Sequence, residues 1–261
     1  MRTSASLPVL TVLRERVQRL ERGAARHWSV LPFGVEAIDQ HLPEGGLAFG
    51  ALHEVASGGN GTIDGAAAAL FTAGIAARTR GQVLWCVARQ DIFAPAIAQA
   101  GLLPDRVIFV EAGDEPSVLA CFEEALRHGG LGAVVAEVAR LSMTASRRLQ
   151  LAAEGSGVIG IAVRRWRQQA EAAAFGQPTS AVTRWRVSAL PSTPLPVPGI
   201  GRPRWRLELI RCRAGEGAEF EVEACDGAGH LALPADPVHG SGSKEFRRSI
   251  PLQSGQVALR K

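Results

Sequence analysis

Between Gly81 and Arg165 short apolar runs alternate with segments of helical period. "GQVLWCVA" (Gly81 to Ala88), "RVIFVEA", "GAVVAEV" and "GVIGIAVRR" are nearly continuous in apolar residues. Such runs predict parallel strands buried on both faces, rather than strands with one wet side. Between them lie the helical segments "PAIAQAGL", "PSVLACFEEALRHG" and "TASRRLQLAAEG". Helices between apolar strands imply right-handed crossovers and an α/β fold, a doubly wound, mostly parallel central sheet flanked by helices. Upstream, a helical stretch near Val35 to His41 and a turn at Pro43 to Gly46 precede a first strand over Ala51 to Ala56. An Ala-rich helix is expected from near Ala66. After Arg167 the period becomes two. "TRWRVSAL" and "RWRLELIRCRAGEGAEFEVEA" predict additional C-terminal strands with a hairpin turn near Gly215 to Gly217.

The ends differ from this core. Residues 1–23 form an arm in which Leu10, Leu13, Val17 and Leu20 keep helical spacing among arginines. Two uses stand open for it: a helix packed on its own domain, or an arm that docks a partner. Residues 24–235 carry the core, interrupted at 191–203 by "PSTPLPVPGIGRP", which is too Pro-rich for regular structure. Residues 236–261 are Ser/Gly-rich and read as a disordered tail.

Composition narrows the class. With 46% hydrophobic and 21% charged residues in 261, the chain can bury a sizeable core. No run of about 18 apolar residues predicts a membrane span, and the apolar stretch Leu7 to Leu13 gives way at once to Arg14-Glu15-Arg16, unlike a secretory leader. The expected compartment is the cytoplasm. Cys86, Cys121, Cys212 and Cys225 lack C-x-x-C spacing, so buried thiols are expected and no metal site. The net charge of +4 is almost wholly arginine, since Lys244 and Lys261 are the sole lysines.

That scarcity bears on the candidate chemistry. "EVASGGNGTIDGAAAALF" (Glu54 to Phe71) runs from a strand through Gly58, Gly59, Gly61 and Gly65 into a helix, the layout of a loop whose backbone N–H groups hold phosphate. A phosphate loop continues with Lys and then Ser or Thr, for the β/γ-phosphates and Mg²⁺. Here Ala66 and Ala67 follow Gly65. Thr62 is the loop's single hydroxyl, and Asp64 adds negative charge. The glycines therefore read as a structural turn whose residues are free to take positive φ, and neither catalysis nor a cofactor is expected.

A second feature is Arg-Trp-Arg, found at Arg165-Trp166-Arg167, Arg184-Trp185-Arg186 and Arg204-Trp205-Arg206. On a strand this places Trp on one face and both arginines on the other, which reads either as a buried Trp flanked by solvated arginines or as a docking surface. Arg165, Arg167, Arg184, Arg186, Arg204, Trp205 and Arg206 are the candidate partner or DNA surface, because arginine and tryptophan concentrate in interface hot spots. Any DNA binding would be weak, non-specific and salt-dependent.

The run from Leu31 to Leu70 resembles the nucleotide-entry region of the RecA recombinase family, with Gly34-Val35-Glu36-Ala37-Ile38-Asp39, then Gly45-Gly46-Leu47, then Gly50-Ala51-Leu52-His53-Glu54-Val55. "LPFGVEAIDQHLPEGGLAFGALHEV" and the Arg-Trp-Arg strands more closely resemble the ImuA family, RecA-like proteins of the bacterial SOS mutasome that are related to SulA. The resemblance implies that the water-activating position falls at Arg89-Gln90, with Asp91 as the nearest carboxylate, and the magnesium-side acid at Glu137. It implies a degenerate RecA-like scaffold for translesion synthesis and mutagenesis. Its partners would be ImuB and an error-prone C-family DNA polymerase, with RecA a further one. Two alternatives stand beside it: a SulA-like cell-division inhibitor that binds FtsZ, and a RecA-like ATP-dependent DNA-binding protein.

Overall fold

The computed structural model describes residues 29–234, apart from Asn60, residues 167–173, Pro194, Pro196 and Ala214. The expected N-terminal helix and C-terminal tail lie outside the described residues.

The first described strand, β1 (Val30–Leu31), pairs antiparallel with β2 (Leu47–Ala48) across the short helix α1 (Glu36–Asp39). Then come β3 (Leu52–Ser57), α2 (Thr62–Ala77), β4 (Val83–Val87), α3 (Ala94–Gln99), β5 (Val107–Glu111), α4 (Glu115–His128), β6 (Ala133–Val138), α5 (Met143–Ser156) and β7 (Ile159–Arg164). The C-terminal strands are β8 (Thr183–Leu190), β9 (Arg204–Cys212) and β10 (Ala218–Glu223). The main sheet has eight strands in the order β10-β9-β8-β3-β7-β6-β4-β5. From β8 through β5 all neighbours are parallel; β9 and β10 extend it antiparallel. The doubly wound α/β expectation is met.

The apolar runs pack as their composition requires, with alternate residues going to opposite faces. Val55, Trp85, Val135, Ile161 and Val163 meet α2 and α3 on one face, through Ala68, Phe71, Ile75 and Ile97. Leu52, Cys86, Val134, Ala136 and Ala162 meet α4 and α5 on the other, through Phe122, Leu126, Leu149 and Ala153. Both longer helices of the second face begin on capping side chains: Asp114 accepts from Ser117 N at 2.8 Å and Ser142 from Ala145 N at 3.1 Å. Gly157 ends α5 at φ 77°, the left-handed conformation glycine takes at helix C-termini.

Three local expectations shift. The Ala-rich helix starts at Thr62, not near Ala66, because Gly61 serves as its N-cap and Asp64 lies in its first turn, where a carboxylate suits the helix dipole. Arg165-Trp166-Arg167 is not a strand triplet, since β7 ends at Arg164 and Arg167 lies outside the described residues. β8 is no peripheral addition either. It lies beside the central strand β3, so Trp185 is fully buried against Phe33 and Phe71.

No described helix is long and apolar enough to cross a membrane. None of the four cysteines is in a disulfide, and Cys86 and Cys212 are buried. Burial pushes the Cys86 thiol up to about 12, which leaves it inert at neutral pH.

Candidate functional site

The C-terminal ends of parallel strands form the rim where α/β sheets bind ligands. Here the ends of β3, β4, β6 and β7, together with the start of α2, enclose a cleft of about 930 Å³. Gly61, Thr62, Gly65 and Ala66 form one wall, Ile92, Phe93 and Ile97 a second, and Asp91, Glu115, Glu137 and Arg165 the polar floor.

The glycine loop is built differently from the expectation. Gly58, Gly59, Gly61 and Gly65 all lack positive φ. What Gly58 needs is room: a Cβ there would lie 1.7 Å from Ser188 Oγ, and its N–H donates to Val187 O at 2.7 Å. Ser57 donates its hydroxyl to Gly59 O at 2.6 Å, closing the loop on itself. Asp64 does not face a phosphate position; its Oδ1 accepts from Ala189 N at 2.8 Å and ties the helix start to β8. The loop is thus a seam between β3, α2 and β8. Ala67, in the hydroxyl position, is buried in the core, whereas Ala66 opens on the cleft.

Across the cleft Arg165 holds both carboxylates assigned by resemblance. One guanidinium nitrogen lies 2.6 Å from Glu137 Oε2 and 2.7 Å from Asp91 Oδ1, and the other is 3.2 Å from Asp91 Oδ2. Trp85 Nε1 donates to Glu137 Oε1 at 3.1 Å. Burial raises the Glu137 carboxyl above the ordinary range, and Arg165 and Trp85 offset part of that. Burial opposes the charge on Arg165, yet Glu137 and Asp91 together hold its pKa above the usual value. Asp91, which looked displaced in sequence, is drawn in by this contact. Its strand-end neighbour Arg89 is exposed and lines the cleft. Among the described residues no cluster of His, Cys, Asp or Glu is placed to hold a metal ion. A tethered guanidinium sits between the two acids.

Of the Arg-Trp-Arg candidates, Arg184 and Trp205 are buried, and Arg167 lies outside the described residues. Arg165, Arg186 and Arg204 are partly exposed, Arg206 is exposed, and all four are ion-paired. Trp205 is 3% exposed, packed edge-on to Phe71, so it cannot anchor a partner. Arg184 is 5% exposed because its Nε reaches Glu54 Oε2 at 2.8 Å and its ring neighbour Phe175 lies under the guanidinium, 4.4 Å from centroid to Cζ. Arg186 pairs with Glu208 at 3.3 Å, Arg204 with Glu221 at 2.6 Å, and Arg206 with Glu219 at 3.0 Å. These acids come from β9 and β10, as cross-strand partners. Glu208 lies among these arginines in sequence, whereas Glu54, Glu219 and Glu221 reach them from elsewhere in the chain. The open face of β8, β9 and β10 carries a mixed-sign ladder, which offers no continuous positive track for a phosphate backbone.

Arg164 counted in sequence only towards basic density. It is fully buried: its Nη1 lies 2.5 Å from Glu54 Oε1, and its Nη2 donates to Ala139 O at 2.8 Å. A charged residue ending an otherwise apolar strand was the available signal.

No family model matches the chain. Among solved structures, that of the RadB recombinase is similar at a TM-score of 0.49 and 15% identity, covering 78% of this chain and 99% of that one. Protein ImuA of Caulobacter vibrioides, in strains NA1000 / CB15N and ATCC 19089 / CIP 103742 / CB 15, is 39% identical over 225 residues. The match covers 82% of this chain and 91% of the relative, and on that extent of likeness the chain belongs to the ImuA family.

Proposed function

We propose that the chain is a non-enzymatic accessory protein of SOS-induced translesion DNA synthesis, a scaffold that binds ImuB and an error-prone C-family DNA polymerase in the cytoplasm. The family assignment supports the setting, and the cleft supports the absence of catalysis. The observation that carries the reading is the Arg165 bridge to Glu137 and Asp91 beside Ala66. Nucleotide hydrolysis needs a cation on the β/γ-phosphates, a hydroxyl on Mg²⁺, and carboxylates free to hold metal and water. In this cleft both acids are spent on an internal guanidinium, and alanines stand in the other two places.

Isothermal titration with Mg-ATP should give no binding tighter than millimolar, and no phosphate should be released. A micromolar dissociation constant would overturn the reading. Introducing Ala66→Lys with Ala67→Thr should not restore turnover, because Arg165 still occupies Glu137 and Asp91. Co-purification with ImuB and the polymerase tests the scaffold half; failure to recover either from a damaged cell removes it.

A further inference from the structure

The two edges of the eight-stranded sheet are finished in opposite ways. β10 reads Ala-Glu-Phe-Glu-Val-Glu, and its carboxylates are paired with Arg202, Arg204 and Arg206. Its outer side is also partly covered, since Glu223 N donates to Ala232 O at 2.8 Å. Charge and cover are the usual protections of an edge strand. β5 has neither. It reads Val-Ile-Phe-Val-Glu, and among the described residues no strand pairs with its outer side. Ile108 is 48% exposed there. Four consecutive residues of high β-propensity, without Pro, Lys or Arg, leave unpaired N–H and C=O groups as a template for another strand.

We propose that β5 is a self-association edge, which pairs antiparallel with β5 of a second copy across a two-fold axis to join the two sheets into one. The pairing register follows from symmetry and strand length. An axis perpendicular to the sheet keeps every residue on its own face, so opposed residues must point the same way. Val107 and Phe109 pack on the α2/α3 side, Val110 on the α4/α5 side, and Ile108 shares the side of Val110 by alternation. Centring the axis on Phe109 sets Ile108 against Val110 of the second copy, twice, and Glu111 against Val107. Centring it on Ile108 would run Glu111 past the end of the facing strand, onto the turn Pro104–Arg106 that carries Asp105. Centring it on Val110 would oppose Phe109 and Glu111. The Phe109 register alone of the three pairs β5 over its full length, with apolar side chains opposite one another at the axis. A second copy fits because the strand complements itself, and because the opposite edge, with its ion pairs, cannot serve.

Sedimentation equilibrium of the full chain at micromolar concentrations should show a dimer. Ile108→Lys puts an ammonium into the junction and should weaken dimerisation at least tenfold with an unchanged circular dichroism spectrum. Ile108→Thr, which keeps β-branching, should weaken it less and guards against misfolding of the lysine variant. Leu151→Lys, at an exposed position on α5, should leave the dimer intact. A monomeric wild-type chain overturns the proposal, as does a dimer that survives Ile108→Lys. A dimer lost in Leu13→Asp with Val17→Asp, but kept in Ile108→Lys, would assign the contact to the N-terminal segment instead. A chain monomeric alone whose capture by ImuB is lost in Ile108→Lys would give the edge to a partner protein, which also overturns self-pairing.

Discussion

Arg164 and Arg165 are adjacent in sequence, and each holds a carboxylate cluster on its own side of the sheet. Arg164 lies on the α5 side, sealed from solvent, with Glu54 and Arg184. Arg165 lies on the cleft side, its side chain 33% exposed, with Asp91 at 47% and Glu137 at 8%. The chemistry is the same and the surroundings differ. In the interior, a guanidinium–carboxylate cluster is held by every group at once, and loss of one member strands the others without water. At the cleft the same contact is solvent-screened, so it is worth less to stability and more to deciding what the cleft can bind. One residue along the chain, at the end of β7, thus separates a sealed ion cluster from one that lines the cleft.

The largest way to break this comparison is Glu54→Gln. Two buried arginines would lose their counter-charge, and Thr179, which donates to Glu54 Oε2 at 2.9 Å, would lose part of its acceptor. Breaking a buried pair by removing one partner costs about 3–5 kcal/mol. The denaturant midpoint should fall accordingly, and soluble expression with it. A loss under about 1 kcal/mol would show that the cluster is not tightly sealed.

His53 sharpens the contrast from the next position on β3. It buries a polar ring without charge: Trp185 Nε1 donates to Thr183 Oγ1 at 3.0 Å, Thr183 Oγ1 lies 2.8 Å from His53 Nδ1, and Nε2 lies 2.9 Å from Ala48 O. With Nε2–H donating to the carbonyl, Nδ1 accepts the Thr183 hydroxyl. Burial lowers the imidazole to about 4 from its usual 6.5, against a smaller rise from the Ala48 hydrogen bond. The unfolded chain therefore takes up the proton first. Stability is complete above about pH 6.5 and is lost as pH falls toward 4, by about 3 kcal/mol. Glu137, whose carboxyl is raised, works with opposite sign in acid. Urea midpoints at neutral and mildly acidic pH should diverge in wild type, and the difference should shrink in His53→Gln. An equal acid loss in that variant would clear His53 of the effect.

Arg165→Met carries a middling effect. Glu137 would keep the Trp85 N–H but lose its counter-charge, so its carboxyl should hold a proton to still higher pH. With the cluster partly open to water, the loss should be about 1–2 kcal/mol. Differential scanning calorimetry measures it. A cost equal to that of Glu54→Gln would erase the distinction between the two sides of β7.

The parallel core was readable because a strand covered on both faces must be mostly apolar: "VLWCV" is apolar throughout, and "AVVAEV" is apolar but for Glu137 near its end. The strands from β4 to β7 followed from that, and the helices between them from their own period. The glycine loop misled because glycine has two uses, and sequence cannot distinguish positive φ from close approach: Gly58 depends on Ser188, far along the chain. The Arg-Trp-Arg triplets misled for a similar reason. Alternation separated Trp from Arg by face but did not say which face is inward, so Trp205, placed on the candidate surface, is instead buried. Whether an arginine opposite is solvated depends on which acids the fold brings. Glu54 reaches Arg184 from β3, and Glu219 and Glu221 reach Arg206 and Arg204 from β10. Composition within a window cannot see charges supplied from outside it.

The smallest expected effect lies on that open ladder. Arg206 is exposed, lies 3.0 Å from Glu219, and is only at the limit of contact with Glu221 at 4.0 Å. Exposed pairs of this kind contribute about 0–1 kcal/mol, so Arg206→Gln should barely move the melting temperature. Arg206→Glu should cost somewhat more, because it sets like charges across β9 and β10, and adding Glu219→Lys should recover most of that loss. Double-mutant analysis by urea titration reads the coupling. If Arg206→Glu abolishes capture of ImuB while the compensated pair restores the fold but not the capture, the ladder has a docking role beyond its small contribution to stability. If capture follows stability through all three variants, the ladder does no more than guard the edge.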